Sequence, residues 1–229
     1  MSLTGRLSTA IGLFLVAAAL IAWAVVAFID PGTPGGYVNY TAGHTTGAPV
    51  DVNLQTVGSI GNGYGSHPSW VSYLQKNPTT GQWIHDTSMT LPANTVINMT
   101  IDQYDSGSPL RNQEWGQVQG TIGGDATLNG KSYKVYNSYT GNGVGHTFAI
   151  PGLNVSVPLV GVNGNLTNIC GQAPCGNLPH NVITFSFKTG APGSYNWQCF
   201  VPCALGYIYG NGGAMSTINY MGGFLKVVA

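Results

Sequence analysis

Two cysteines, Cys199 and Cys203, are separated by three residues in the stretch Tyr195-Asn-Trp-Gln-Cys199-Phe-Val-Pro-Cys203. A loop of that length between two strand-like runs can offer both thiolates to one site. Soft thiolate ligands select copper(I), zinc or iron–sulfur chemistry. The lead-in Pro192-Gly193-Ser-Tyr195 reads as a turn into a strand, because proline pre-sets φ and glycine supplies the permissive position. The same two cysteines could instead close a disulfide, provided the loop lets their Cα atoms approach to about 4.4–6.8 Å.

A Pro-Gly-x-Tyr strand running into Cys-x3-Cys, with a closing strand Met221-Gly-Gly-Phe-Leu-Lys-Val-Val, resembles the cupredoxin domain of cytochrome c oxidase subunit II. Upstream, Gly145-His146-Thr-Phe-Ala-Ile-Pro151-Gly-Leu153 is similar to the segment of that family carrying its first copper histidine. The resemblance covers about residues 144–229. It implies an all-β, Greek-key, cupredoxin-like sandwich and a copper site built from His146, Cys199, Val201 through its carbonyl, Cys203 and Met221. It also implies partners: other integral-membrane subunits of a respiratory oxidase or related redox complex. The family places a second histidine four residues after the second cysteine, where this chain has Tyr207, and no histidine follows His180. Two states therefore stay open, a copper site and a copper-free domain with Cys199 bridged to Cys203; the missing histidine tilts the expectation toward the second. A copper-free domain would be an accessory or interaction protein, and a copper(I) carrier is a third reading. Tyr207 is a poor substitute ligand, since a phenol ordinarily ionises near pH 10. Met215 reads as packing, and Met221 as the better axial candidate.

Composition narrows the rest. Charged residues are 6% of the 229-residue chain, against roughly 25% in typical soluble proteins. With 43% hydrophobic residues and zero net charge the chain is nevertheless expected to fold. Its 34 glycines and 13 prolines suggest many turns between short strands. No basic run exists to neutralise phosphates, so nucleic acid is not an expected partner. So few charges suit either an acidic exterior or a surface covered by partner subunits. The seven acidic residues are scattered, and no paired catalytic carboxylates, nucleophile elbow or metalloprotease helix is found.

The elements that must position the cysteines follow in order. Ala10 to Phe28 contains no charge and is long enough for about 28 Å of helix. Arg6 before it and Asp30 after it place the N-terminus in the cytoplasm and the domain outside. The expected organisation is a membrane anchor over 1–30, a linker over 31–48 and a cupredoxin-like domain over 49–229, single-pass in the cell membrane. A cleaved signal peptide is the competing reading. Val50–Val57 alternates as a half-buried strand, and Trp70–Leu74 is a short strand candidate. Val96, Asn98, Thr100 and Asp102 alternate with Ile97, Met99 and Ile101, which predicts a strand with one wet face. His44, His67 and His85 read as surface histidines. Residues 160–181 look like an insertion, in which Cys170 and Cys175 are expected to bridge. Sequons at Asn39, Asn98, Asn154 and Asn165 are permissive for glycosylation and no more.

Overall fold

The computed structural model describes residues 3–29, 35–166, 170, 172–203 and 213–229. Helix α1 (Leu3–Ile29) opens the chain. Its segment Gly5–Val26 has a mean hydropathy of 2.5 and none of it is buried, so it is long and apolar enough to cross a membrane. A helix of that length and hydropathy, with its surface unburied, fits a bilayer span or a signal sequence.

The rest is all-β. Among the described residues the early strands are β1 (Val38–Asn39), β2 (Val50–Val57), β3 (Ser72–Lys76) and β4 (Trp83–Ile84). Next come β5 (Met89–Pro92), β6 (Val96–Gln103), β7 (Ala126–Leu128) and β8 (Lys131–Tyr133). The late strands are β9 (Val144–Ile150), β10 (Val155–Val160), β11 (Asn181–Lys188), β12 (Gly193–Gln198) and β13 (Gly222–Val228). They form a six-stranded sheet in the order β1-β5-β13-β12-β9-β10 and a seven-stranded sheet in the order β4-β3-β2-β6-β11-β7-β8. Among the described strands the chain changes sheet six times, between β1 and β2, β4 and β5, β5 and β6, β8 and β9, β10 and β11, and β11 and β12. These crossovers make β5 parallel to β13 and β2 parallel to β6. The architecture is an all-β sandwich of two mixed sheets, the fold class expected from the sequence.

Side-chain alternation explains the layering. On β6, Ile97, Met99, Ile101 and Gln103 are buried while Val96, Asn98, Thr100 and Asp102 are half-exposed, as the sequence alternation predicts. Ile101 stands between Leu54 on β2 and Ile183 on β11, and all three are buried. Within the stretch read as a linker, Val38 and Asn39 pair with Met89 and Thr90. Trp197 is the largest wholly buried side chain, edge-on to Tyr73 with ring centroids 4.9 Å apart. Its Nε1–H donates to the Thr87 carbonyl at 2.9 Å, which ties β12 to the turn before β5. Gly223 lets β13 close on the same turn, since a Cβ there would lie 2.5 Å from the Thr87 carbonyl oxygen.

In the insertion, Cys170 and Cys175 are bonded with an S–S distance of 2.10 Å, and both are buried. His85, expected at the surface, is instead half-buried. Its Nε2 lies 3.0 Å from Ser72 Oγ and its ring stands edge-on to Tyr220. Burial pushes its pKa down to about 4, only partly opposed by the backbone of Asn219. The sign follows from linkage. Above pH 6.5 the imidazole is neutral folded and unfolded, and its contribution is fully present. Between 6.5 and about 4 the unfolded chain binds a proton that the folded one refuses, so stability falls with pH. The difference in urea stability between the wild type and His85→Gln should therefore shrink as pH drops from 7 to 4. A difference that stays constant over that range would contradict the account.

Candidate metal centre

The six-stranded sheet brings the chemistry together at one end. His146 lies on β9, Cys199 directly follows β12, and these strands are neighbours through Gln198 opposite Ala149. Among the described residues, His146, Cys199 and Cys203 form a group whose candidate ligand atoms lie within 4.8 Å of one another. The Cys203 and Cys199 Sγ atoms are 3.5 Å apart, and Cys199 Sγ is 3.9 Å from His146 Nδ1. A soft ion with bonds of about 2.3 Å to sulfur and about 2.0 Å to imidazole nitrogen spans separations of about 3.5–3.8 Å at tetrahedral angles. The donor set therefore fits such an ion with little movement.

Both cysteines are free thiols in this structure. The bridge offered as the alternative, Cys199 to Cys203, is not formed; 3.5 Å is far beyond the 2.10 Å of the bonded Cys170–Cys175 pair. A set of donors is aimed at one of the two sulfurs. Thr147 N–H donates to Cys199 Sγ at 3.4 Å, the Cys203 thiol donates to it, and His146 faces it. Burial opposes ionisation of Cys199, but the hydrogen bonds from Cys203 and His146, with the imidazole charge and Thr147 N–H, hold its pKa well below that of a free thiol. Cys203 moves the opposite way, because it gives its proton to the Cys199 sulfur and is itself buried. Burial alone would lower the His146 pKa; hydrogen bonds to Asp105 and Cys199 outweigh it and raise the value to about 9. A metal would displace the Nδ1 and Cys203 protons, the usual cost of loading such a site.

Asp105 is the functional residue that sequence reading missed. Its Oδ2 lies 3.1 Å from His146 Nε2, which leaves Nδ1 facing the sulfurs. This is the carboxylate–imidazole arrangement that orients ligating histidines. Asp105 comes from beyond β6, on the opposite sheet, 41 residues from His146 in sequence. Its backbone N–H donates to Gln103 Oε1 at 3.4 Å, and that oxygen also accepts from Thr56 Oγ1. Gly145 permits the approach, for a Cβ there would meet the Ser106 carbonyl oxygen at 2.5 Å.

The remaining expected ligands are distributed around this group. The Val201 carbonyl is turned back toward the site, 3.4 Å from Cys199 Sγ. Met221 is wholly buried and stands opposite Cys199, whose N–H donates to the Met221 carbonyl at 2.8 Å. Met215, read from the sequence as packing, places Sδ 3.4 Å from the Cys203 backbone nitrogen. Tyr207, at the position of the absent histidine, lies outside the described residues. Phe200, between the two cysteines, stacks on Trp115 with centroids 4.6 Å apart and its N–H bonded to Thr147 Oγ1. Tyr73 packs against the buried flank of the site and donates its hydroxyl to the Thr147 carbonyl at 2.9 Å.

No protein-family model matches the chain, and no curated protein matches it. Among solved structures the chain is similar to the copper protein rusticyanin, with 12% identity, 90% of this chain and 91% of that one covered, and a TM-score of 0.35. Rusticyanin from Thiobacillus ferrooxidans is similar at 13% identity, with 90% of each chain covered and a TM-score of 0.33. Auracyanin B is similar at 16% identity over 81% of this chain and 93% of that one, with a TM-score of 0.28. Strand order and register, not these superpositions, define the fold here.

Proposed function

We propose that this protein is a membrane-tethered, cupredoxin-like electron carrier that holds copper through His146, Cys199 and Cys203. We further infer that it works as a subunit-II-like component of a respiratory oxidase or related redox complex. The observation that carries the reading is the convergence of one imidazole and two thiols, all within 4.8 Å, with the imidazole oriented by Asp105. Bound copper would supply one-electron chemistry between its +1 and +2 states. The chain's part is to hold the donors rigidly and keep water out, and His146 and Cys199 are both wholly buried. With one histidine the donor set suits a single copper better than the binuclear centre of the family it resembles. The extracytoplasmic placement rests on Arg6 preceding the apolar run Ala10 to Phe28 and Asp30 following it.

The full-length protein in detergent, reduced and loaded with one equivalent of copper, should give a reversible one-electron wave. Its oxidised form should carry a sulfur-to-copper charge-transfer band in visible light. Copper that binds but cannot be cycled, and leaves readily for a chelator, would favour a copper(I) carrier. Protein that binds no copper after reduction would support the copper-free interaction role.

A further inference from the structure

The centre lacks the second imidazole that the subunit-II resemblance implies, and that imidazole would fall just beyond Cys203. What the structure places against Cys203 is a thioether. Met215 sits in the short 3-10 turn Ala214–Ser216, and its Sδ accepts the Cys203 N–H at 3.4 Å. The turn is pinned to the start of β13: Met221 N–H donates to the Ala214 carbonyl at 3.2 Å, and Ala214 is wholly buried. A thioether sulfur has two lone pairs, and the N–H occupies one of them. The side chain also has room to turn, because it lines a cavity of about 120 Å³ with Trp197, Gln198 and Phe224. An unbranched methionine with three rotatable bonds is suited to such an adjustment.

We propose that Met215 is a copper(I) ligand, giving the centre on its Cys203 side the donor that a second histidine would otherwise supply. The proposal rests on the copper reading above. It leaves Met221 as the methionine that the subunit-II resemblance implies. Two thiolates, one imidazole and a thioether form a soft set, and soft sets favour copper(I) over copper(II). The chain would thus compensate for a lost imidazole by stabilising the reduced ion.

Silver(I), a diamagnetic soft cation, provides the probe. The chain has five methionines, so full-length reduced protein labelled at the methionine methyl carbons gives a spectrum that can be assigned completely. One equivalent of silver(I) should shift the Met215 methyl signal, which Met215→Leu identifies by its disappearance. The same variant should lose at least about tenfold in copper(I) affinity in competition with a chelator. Silver bound through the cysteines with the Met215 signal unmoved, and copper(I) affinity of the variant within about twofold of wild type, would overturn this proposal and leave the copper reading standing. Protein that takes up neither ion overturns both. Should Met215→Leu fail to fold, the wild-type signal assigned through its bonded neighbours decides the matter.

Discussion

Replacing Cys199 by serine removes tight copper binding, with an expected loss of at least about a thousandfold in copper(I) affinity, or about 4 kcal/mol. Cys199 is the sulfur on which the other groups converge: Cys203, Thr147 N–H and His146 all face it. Serine offers a hard hydroxyl of far higher pKa in the same buried place, and the affinity of a soft ion for it is small. The fold should survive, since the serine oxygen can still accept from Thr147 N–H. The measurement is chelator competition on the reduced protein, with circular dichroism to confirm the fold. A folded Cys199→Ser protein that binds copper(I) as tightly as wild type would show that the sulfur is not a ligand.

Trp197→Ala should cost the most stability of any single substitution considered, about 3–5 kcal/mol. The indole is 1% exposed and stands 4.9 Å from the rings of both Tyr73 and Phe148. Its removal leaves a cavity between the sheets and strips the Thr87 carbonyl of its Nε1–H partner. Against a typical total of 5–15 kcal/mol this is a large share, and the melting temperature should fall by on the order of 10 °C. Because Trp197 lies on β12 two residues before Cys199, which directly follows that strand, the variant should also bind copper more weakly even where it folds. Trp197→Phe keeps the ring contacts but not the N–H, so it should recover most of the loss. A Trp197→Ala protein with an unchanged melting temperature would mean that the two sheets do not pack through this residue.

The fold was largely legible because its signals are local. The alternation on β6 places Ile97, Met99 and Ile101 inward without reference to any other element. The short Cys170–Cys175 loop, with its glycine and proline, announces a bridge that the structure contains. The candidate site was legible only in part, for reasons that lie in three dimensions. His146 and the two cysteines carry recognisable surroundings in sequence. Asp105 carries none: it is a lone acid beyond a strand, and only the packing of one sheet on the other brings it to His146. The spacing of Cys199 and Cys203 permits either a bridge or separate thiols, and it shows nothing of the donors that converge on Cys199. Met215 carries no signal of its own in sequence, since its contact with the Cys203 N–H joins residues twelve apart. His85 read as a surface residue because its burial comes from Ser72 and Tyr220, both remote in the chain.

The central claim is that His146, Cys199 and Cys203 hold copper in the protein as it works. The most direct test is copper analysis with electron paramagnetic resonance on protein isolated from its native membranes without added metal. The account predicts one copper per chain and, after oxidation, a copper(II) signal with hyperfine coupling narrowed by thiolate ligation. Copper-free protein with Cys199 and Cys203 joined as a disulfide would contradict it.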